Sequence, residues 1–100
     1  MLLGGIRMTV TIDEQIKWIV EKNLPNFLVI GAIYYPKDII EFVFIDETKD
    51  KKSVELISAM GFIGSKVREK FDVLFDINEE YYKHRCYLTF YADNQRGNYI

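Results

Sequence analysis

Hydrophobic positions change their period along the chain, and each change marks an element. Ile12, Ile16, Ile19, Val20 and Leu24 recur at three- and four-residue spacing, which is one face of a helix. Thr11 stands just before them with Glu14 three residues on, the reciprocal pair that satisfies free amides at a helix start. Asn23-Leu24-Pro25 ends the helix, because a proline disfavours helical geometry in the residue before it. Phe27 to Tyr35 is apolar without alternation and predicts a strand covered on both faces, central in its sheet. Tyr35-Pro36-Lys37-Asp38 reads as a tight turn with proline at its second position. Asp38 to Asp46 is the returning strand, apolar on both faces apart from Glu41, and this hairpin is expected in the middle of the sheet.

Glu47 to Lys52 is a charged loop, and Ser53 to Phe71 is the longest helical stretch. At 100° per residue, Leu56, Met60, Ile63, Val67 and Phe71 form its core stripe. Ile57, Gly61, Gly64 and Arg68 form a second stripe beside it, with Ser58 and Ser65 beyond. Each glycine costs roughly 1 kcal/mol relative to alanine inside a helix. A line of small residues lets another backbone come close, and that backbone is either the domain's own sheet or the same helix of a second copy. Asp72 to Ile77 alternates as a strand, with Val73, Phe75 and Ile77 on one side. Asn78 to Lys83 is a polar connection. Arg85 to Tyr91 is the last strand, with Cys86, Leu88 and Phe90 on one face and Tyr87, Thr89 and Tyr91 on the other. Residues 1–10 read as a tail or a short strand from residue 6, and Asp93 to Ile100 as a polar tail. The whole predicts one α+β domain over residues 1–100: two helices packed on an antiparallel sheet of four or five strands, in the order α-β-β-α-β-β.

Composition narrows the function more than the fold. With 49% apolar and 15% aromatic residues in 100, the chain can build a core without disulfide or metal staples. A formal net charge of -2 lacks the basic surplus usual in a nucleic-acid binder. The longest apolar run is nine residues, too short to cross a bilayer, so no membrane partner is expected. The single cysteine, Cys86, suits a reducing cytoplasmic setting.

Candidate chemistry is sparse. His84 and Cys86 share a strand face but stand roughly 6–7 Å apart along it, too far for a nucleophile and its base. Asp76, Glu79 and Glu80 are the nearest approach to a metal cluster, and carboxylates at a strand end are ordinarily just solvated. Asp38 with Glu47-Thr48-Lys49 matches an Asp…Glu-x-Lys nuclease pattern in order, but on one strand the two acids lie about 30 Å apart. No catalytic set, metal or cofactor is expected. Trp18 projects opposite the core stripe of its helix, among Glu14, Lys17, Glu21 and Lys22. A neighbouring loop or tail covers it, or it anchors a partner.

Two family resemblances bear on the glycines. Gly61-Phe62-Ile63-Gly64, followed by Ser65-Lys66-Val67-Arg68, resembles the Gly-x-x-Gly loop of KH domains, where two helices meet at a nucleic-acid backbone. That resemblance implies a nucleic-acid site at Gly61, Gly64, Lys66 and Arg68 and a break in the helix at Gly61. It also puts Phe62 and Ile63, a large apolar pair, at the phosphate contact. The layout from about residue 11 to 91, with LPNFLVIGAIYY entering the hairpin and SVELISAMGFIGSKVREKF as the long helix rich in small residues, resembles the roadblock family. This resemblance implies a homodimer built by the long helix and a neighbouring edge strand, serving as a platform for small Ras-like GTPases. The protein interface expected from the glycine stripe and the off-stripe tryptophan is Trp18, Ile57, Gly61, Gly64 and Arg68. A helix unbroken from Met60 to Ser65 favours close packing, and a break favours the nucleic-acid site.

Overall fold

The computed structural model describes residues 11–80 and 84–92; the expected tails at 1–10 and 93–100, and positions 81–83 of the expected polar connection, lie outside the described residues. Helix α1 (Ile12–Lys22) starts as its cap predicts. Thr11 Oγ1 accepts from the Glu14 amide at 3.2 Å, and the Glu14 carboxylate accepts from the Thr11 amide at 3.3 Å. The chain continues through β1 (Leu28–Tyr34), a single 3₁₀ turn (Pro36–Asp38), β2 (Ile40–Asp46), α2 (Ser53–Arg68), β3 (Leu74–Glu80) and β4 (Arg85–Tyr91). Lys37 and Asp38 take positive φ (50° and 64°) to reverse the chain, so β2 starts at Ile40, not Asp38. Among the described residues the fold is α+β, in the predicted order α-β-β-α-β-β, with two helices and a four-stranded antiparallel sheet.

The strands lie side by side as β1-β2-β4-β3. Register decides which side chains meet: Phe42 stands opposite Leu88, Phe44 opposite Cys86, and Phe75 opposite Phe90. These residues share a face and pack with Ile16 and Val20 of α1 and Leu56, Met60, Ile63 and Val67 of α2. Both helices therefore cover the same side of the sheet. Phe42 anchors the layer, stacked on Phe44 at 5.8 Å and edge-on to Phe90 at 6.0 Å.

Three expectations need correction. The hairpin is not the middle of the sheet: β2 and β4 are central, and β1 is outermost among the described strands. An unbroken apolar run reports that both faces of a strand are apolar, not that both of its edges are paired. Leu28, Ile30 and Ile33 pack on the core side, while Val29, Ala32 and Tyr34 join Val43 and Ile45 on the other face. A bulge at Gly31 keeps both sets in phase, and a Cβ there would stand 2.8 Å from Ile45 Cδ1. Helix α2 ends at Arg68, short of Phe71: the Lys70 amide donates only three residues back, to the Val67 carbonyl, and tightens the last turn. Strand β3 runs on to Glu80, past Ile77, so Asn78 to Glu80 belong to the sheet.

Candidate functional site

Helix α2 is continuous from Ser53 to Arg68, through Met60–Ser65, and its two glycines have different surroundings. Gly64 is buried, and a Cβ placed on it would lie 2.6 Å from Cε2 of Phe75 in β3. The sheet therefore accounts for Gly64. Outside its own helix backbone, Gly61 has no atom of the described residues within 4 Å of where its Cβ would be. On the same flank Ile57 is 46% exposed, Val54 is 65% exposed and Arg68 is exposed. Sequence reasoning missed Val54, seven residues before Gly61 on the same face; an apolar residue off the core stripe was the available signal.

The residues of the nucleic-acid alternative do not share one surface. Gly61 and Gly64 lie within a helix, so their backbone amides are not displayed in a loop. Lys66 and Arg68 are two residues apart and project about 160° apart around the axis. Lys66 sits 5.2 Å from the Phe62 ring centroid and 3.9 Å from the Glu69 carboxylate. Phe62 is exposed.

Trp18 is 56% exposed and forms one wall of an open groove of about 520 Å3 between α1 and the end of α2. Gln15, Ile19, Lys22, Lys70 and Phe71 complete the lining. Trp18 and the α2 stripe thus occupy different surfaces.

The ionisable groups of β3 and β4 are engaged structurally. Burial, then the nearby Glu79 and Asp46 carboxylates, pushes the Cys86 thiol up to about 12, which keeps it protonated at neutral pH. Tyr91 donates to Asp76 at 3.1 Å, Tyr87 donates to Glu80, and Ser53 donates to Glu79 at 2.7 Å. The hydrogen bond to Glu80, with burial, raises the Tyr87 hydroxyl above its ordinary range, partly offset by Arg85. Alternation along β3 sends Glu79 to the helix side and Asp76 and Glu80 to the other. Among the described residues no group of three or more His, Cys, Asp or Glu is placed to hold a metal ion.

Asp46 is a residue the sequence reading passed over. It is fully buried at the end of β2, yet its carboxylate is saturated with donors. Oδ1 accepts from the Thr48 amide (3.0 Å), the Thr48 hydroxyl (2.6 Å) and the Lys49 amide (3.1 Å); Oδ2 accepts from the Lys51 amide (3.1 Å). Burial alone would raise this carboxyl, but these hydrogen bonds outweigh it and hold it below its ordinary value. The signal was the Asp-x-Thr triplet at a strand end, a pattern in which an aspartate ties down the turn that follows it. This carboxylate fixes the 47–52 loop, and with it the position of α2. Family models, curated proteins and solved structures were all compared with the chain, and none matches it.

Proposed function

We propose that the chain is a non-enzymatic protein-interaction module, acting in the cytoplasm, that pairs with a second copy through the outer flank of α2 and presents the pair to a further protein. On the roadblock-like layout, that further protein is a small GTPase. The observation that carries the reading is Gly61. A glycine in a helix interior sacrifices roughly 1 kcal/mol, and among the described residues no group packed against the helix stands close enough to need the space. Val54 and Ile57 flank it with exposed apolar surface, and a partner helix crossing at Gly61 would cover both.

Light scattering at micromolar concentration tests the pairing. The expected mass is that of a dimer, and Gly61→Leu is expected to yield a folded monomer. A monomeric mass for the unmodified chain would overturn the pairing.

A further inference from the structure

The groove beside Trp18 is apolar on three of its lining side chains, Trp18, Ile19 and Phe71, and carries lysines at Lys22 and Lys70. These two lysines differ from their neighbours. Lys17 is held by Glu21 at 3.9 Å and Lys66 by Glu69 at 3.9 Å. Lys22 and Lys70 have no carboxylate within ion-pairing distance among the described residues. The acids of α1 lie elsewhere: Glu14 and Glu21 project on the far flank of Trp18, away from Lys22. The charged residues lining the groove are thus both lysines, while Glu14, Lys17 and Glu21 lie outside it on the other flank of the indole.

We propose that this groove receives an apolar side chain borne on an acidic segment of a partner protein, with carboxylates flanking that anchor paired to Lys22 and Lys70. The proposal rests on the reading of the chain as an interaction module and names the chemistry of the partner. Trp18 supplies a large rigid contact of the kind that dominates interface energies, and the lysines select the charge of what surrounds the anchor. A narrow segment lying in the groove meets, among the lining side chains, no charge other than Lys22 and Lys70. A flat anionic bilayer would also bring its headgroups against Glu14 and Glu21. A second copy is provided for elsewhere: the Gly61 flank adjoins Gly64, which touches β3, so it faces away from α1 and leaves the groove open.

Trp18 is the chain's single tryptophan, so its emission reports this site directly. The probe is a synthetic peptide with a Leu-Phe pair flanked on each side by two acidic residues, titrated against the full chain. The expected result is a saturable blue shift that weakens with added salt. The same peptide with lysines in place of its acids is expected to give no shift. Lys22→Glu combined with Lys70→Glu should weaken the acidic peptide at least about tenfold and admit the basic one. Four outcomes overturn the proposal: no saturable shift at millimolar peptide; equal shifts with both peptides; a shift with phosphatidylserine vesicles but not with the peptide; or a shift on concentrating the protein alone. Light scattering on the same samples separates the two readings. A monomer that binds the acidic peptide removes the dimer and keeps the groove, while a dimer that ignores it does the reverse.

Discussion

The ring of Phe75 occupies the space that a side chain on Gly64 would need: three of its carbons lie 2.6–2.7 Å from the ideal Cβ position. Phe75 is itself packed on Phe90, 6.2 Å between centroids, so it is not free to swing aside. Helix α2 can approach β3 this closely because residue 64 has no side chain.

Gly64→Ala is therefore expected to destabilise the chain even though alanine favours helix. Forcing a methyl group into an occupied core costs about 1–3 kcal/mol, which exceeds the roughly 1 kcal/mol of recovered helix propensity at the upper end. Urea midpoints measure it. Combining Gly64→Ala with Phe75→Leu should cost less than the sum of the two changes, because the smaller side chain makes room.

Gly61→Ala is expected to act with the opposite sign on the isolated chain, stabilising it by up to about 1 kcal/mol, since the added methyl meets no atom of the described residues within 4 Å beyond its own helix backbone. On the proposed pairing, the same methyl holds two helices apart and weakens association. Denaturation at high dilution and mass at high concentration should thus move in opposite directions.

Asp46→Asn should cost about 1–3 kcal/mol at neutral pH, because an amide nitrogen replaces one oxygen that accepts from the loop amides. The folded carboxyl titrates below its unfolded value. Its contribution is complete above the ordinary carboxylate range and is lost as pH falls through the lower folded value. The substitution should therefore flatten part of the acid limb of the stability curve, which a urea series from pH 7 to pH 3 measures.

Cys86 should resist thiol reagents in the native chain. A rise from 9.0 to about 12 lowers the thiolate fraction near neutral pH about a thousandfold. Reaction with a disulfide reagent at pH 8 should be slow in buffer and fast in denaturant. Fast reaction in buffer would mean that the β4 end opens readily.

The elements whose signals are local were legible in the sequence. Thr11 and Glu14 cap α1 with two hydrogen bonds spanning three residues, and Leu56, Met60, Ile63 and Val67 bury the stripe that their spacing predicts. Relationships across the sheet were not. Whether Gly61 or Gly64 faces β3 depends on which strand lies beneath α2, and no spacing within the helix carries that. Glu79 read as loop because its partner, the Ser53 hydroxyl, is 26 residues away. The run from Phe27 to Tyr35 was assigned a central place because apolar content measures faces and is silent on edges. Trp18 was identified as off the core stripe from helical geometry alone, but its groove needed Lys70 and Phe71 from beyond the end of α2.

The buried carboxylate of Asp46 has a consequence for the loop it holds. Three of its four donors are backbone amides, and the fourth is the Thr48 hydroxyl. The side chains of Lys49, Asp50 and Lys51 are thus no part of what Asp46 grips. Lys49 has a φ of 60°, which suits glycine or asparagine better than lysine. The loop's path thus depends on its length and on the amides of Thr48, Lys49 and Lys51, so side-chain changes at Lys49 leave the grip of Asp46 intact, whereas an inserted residue or a proline at 49 or 51 removes a donor.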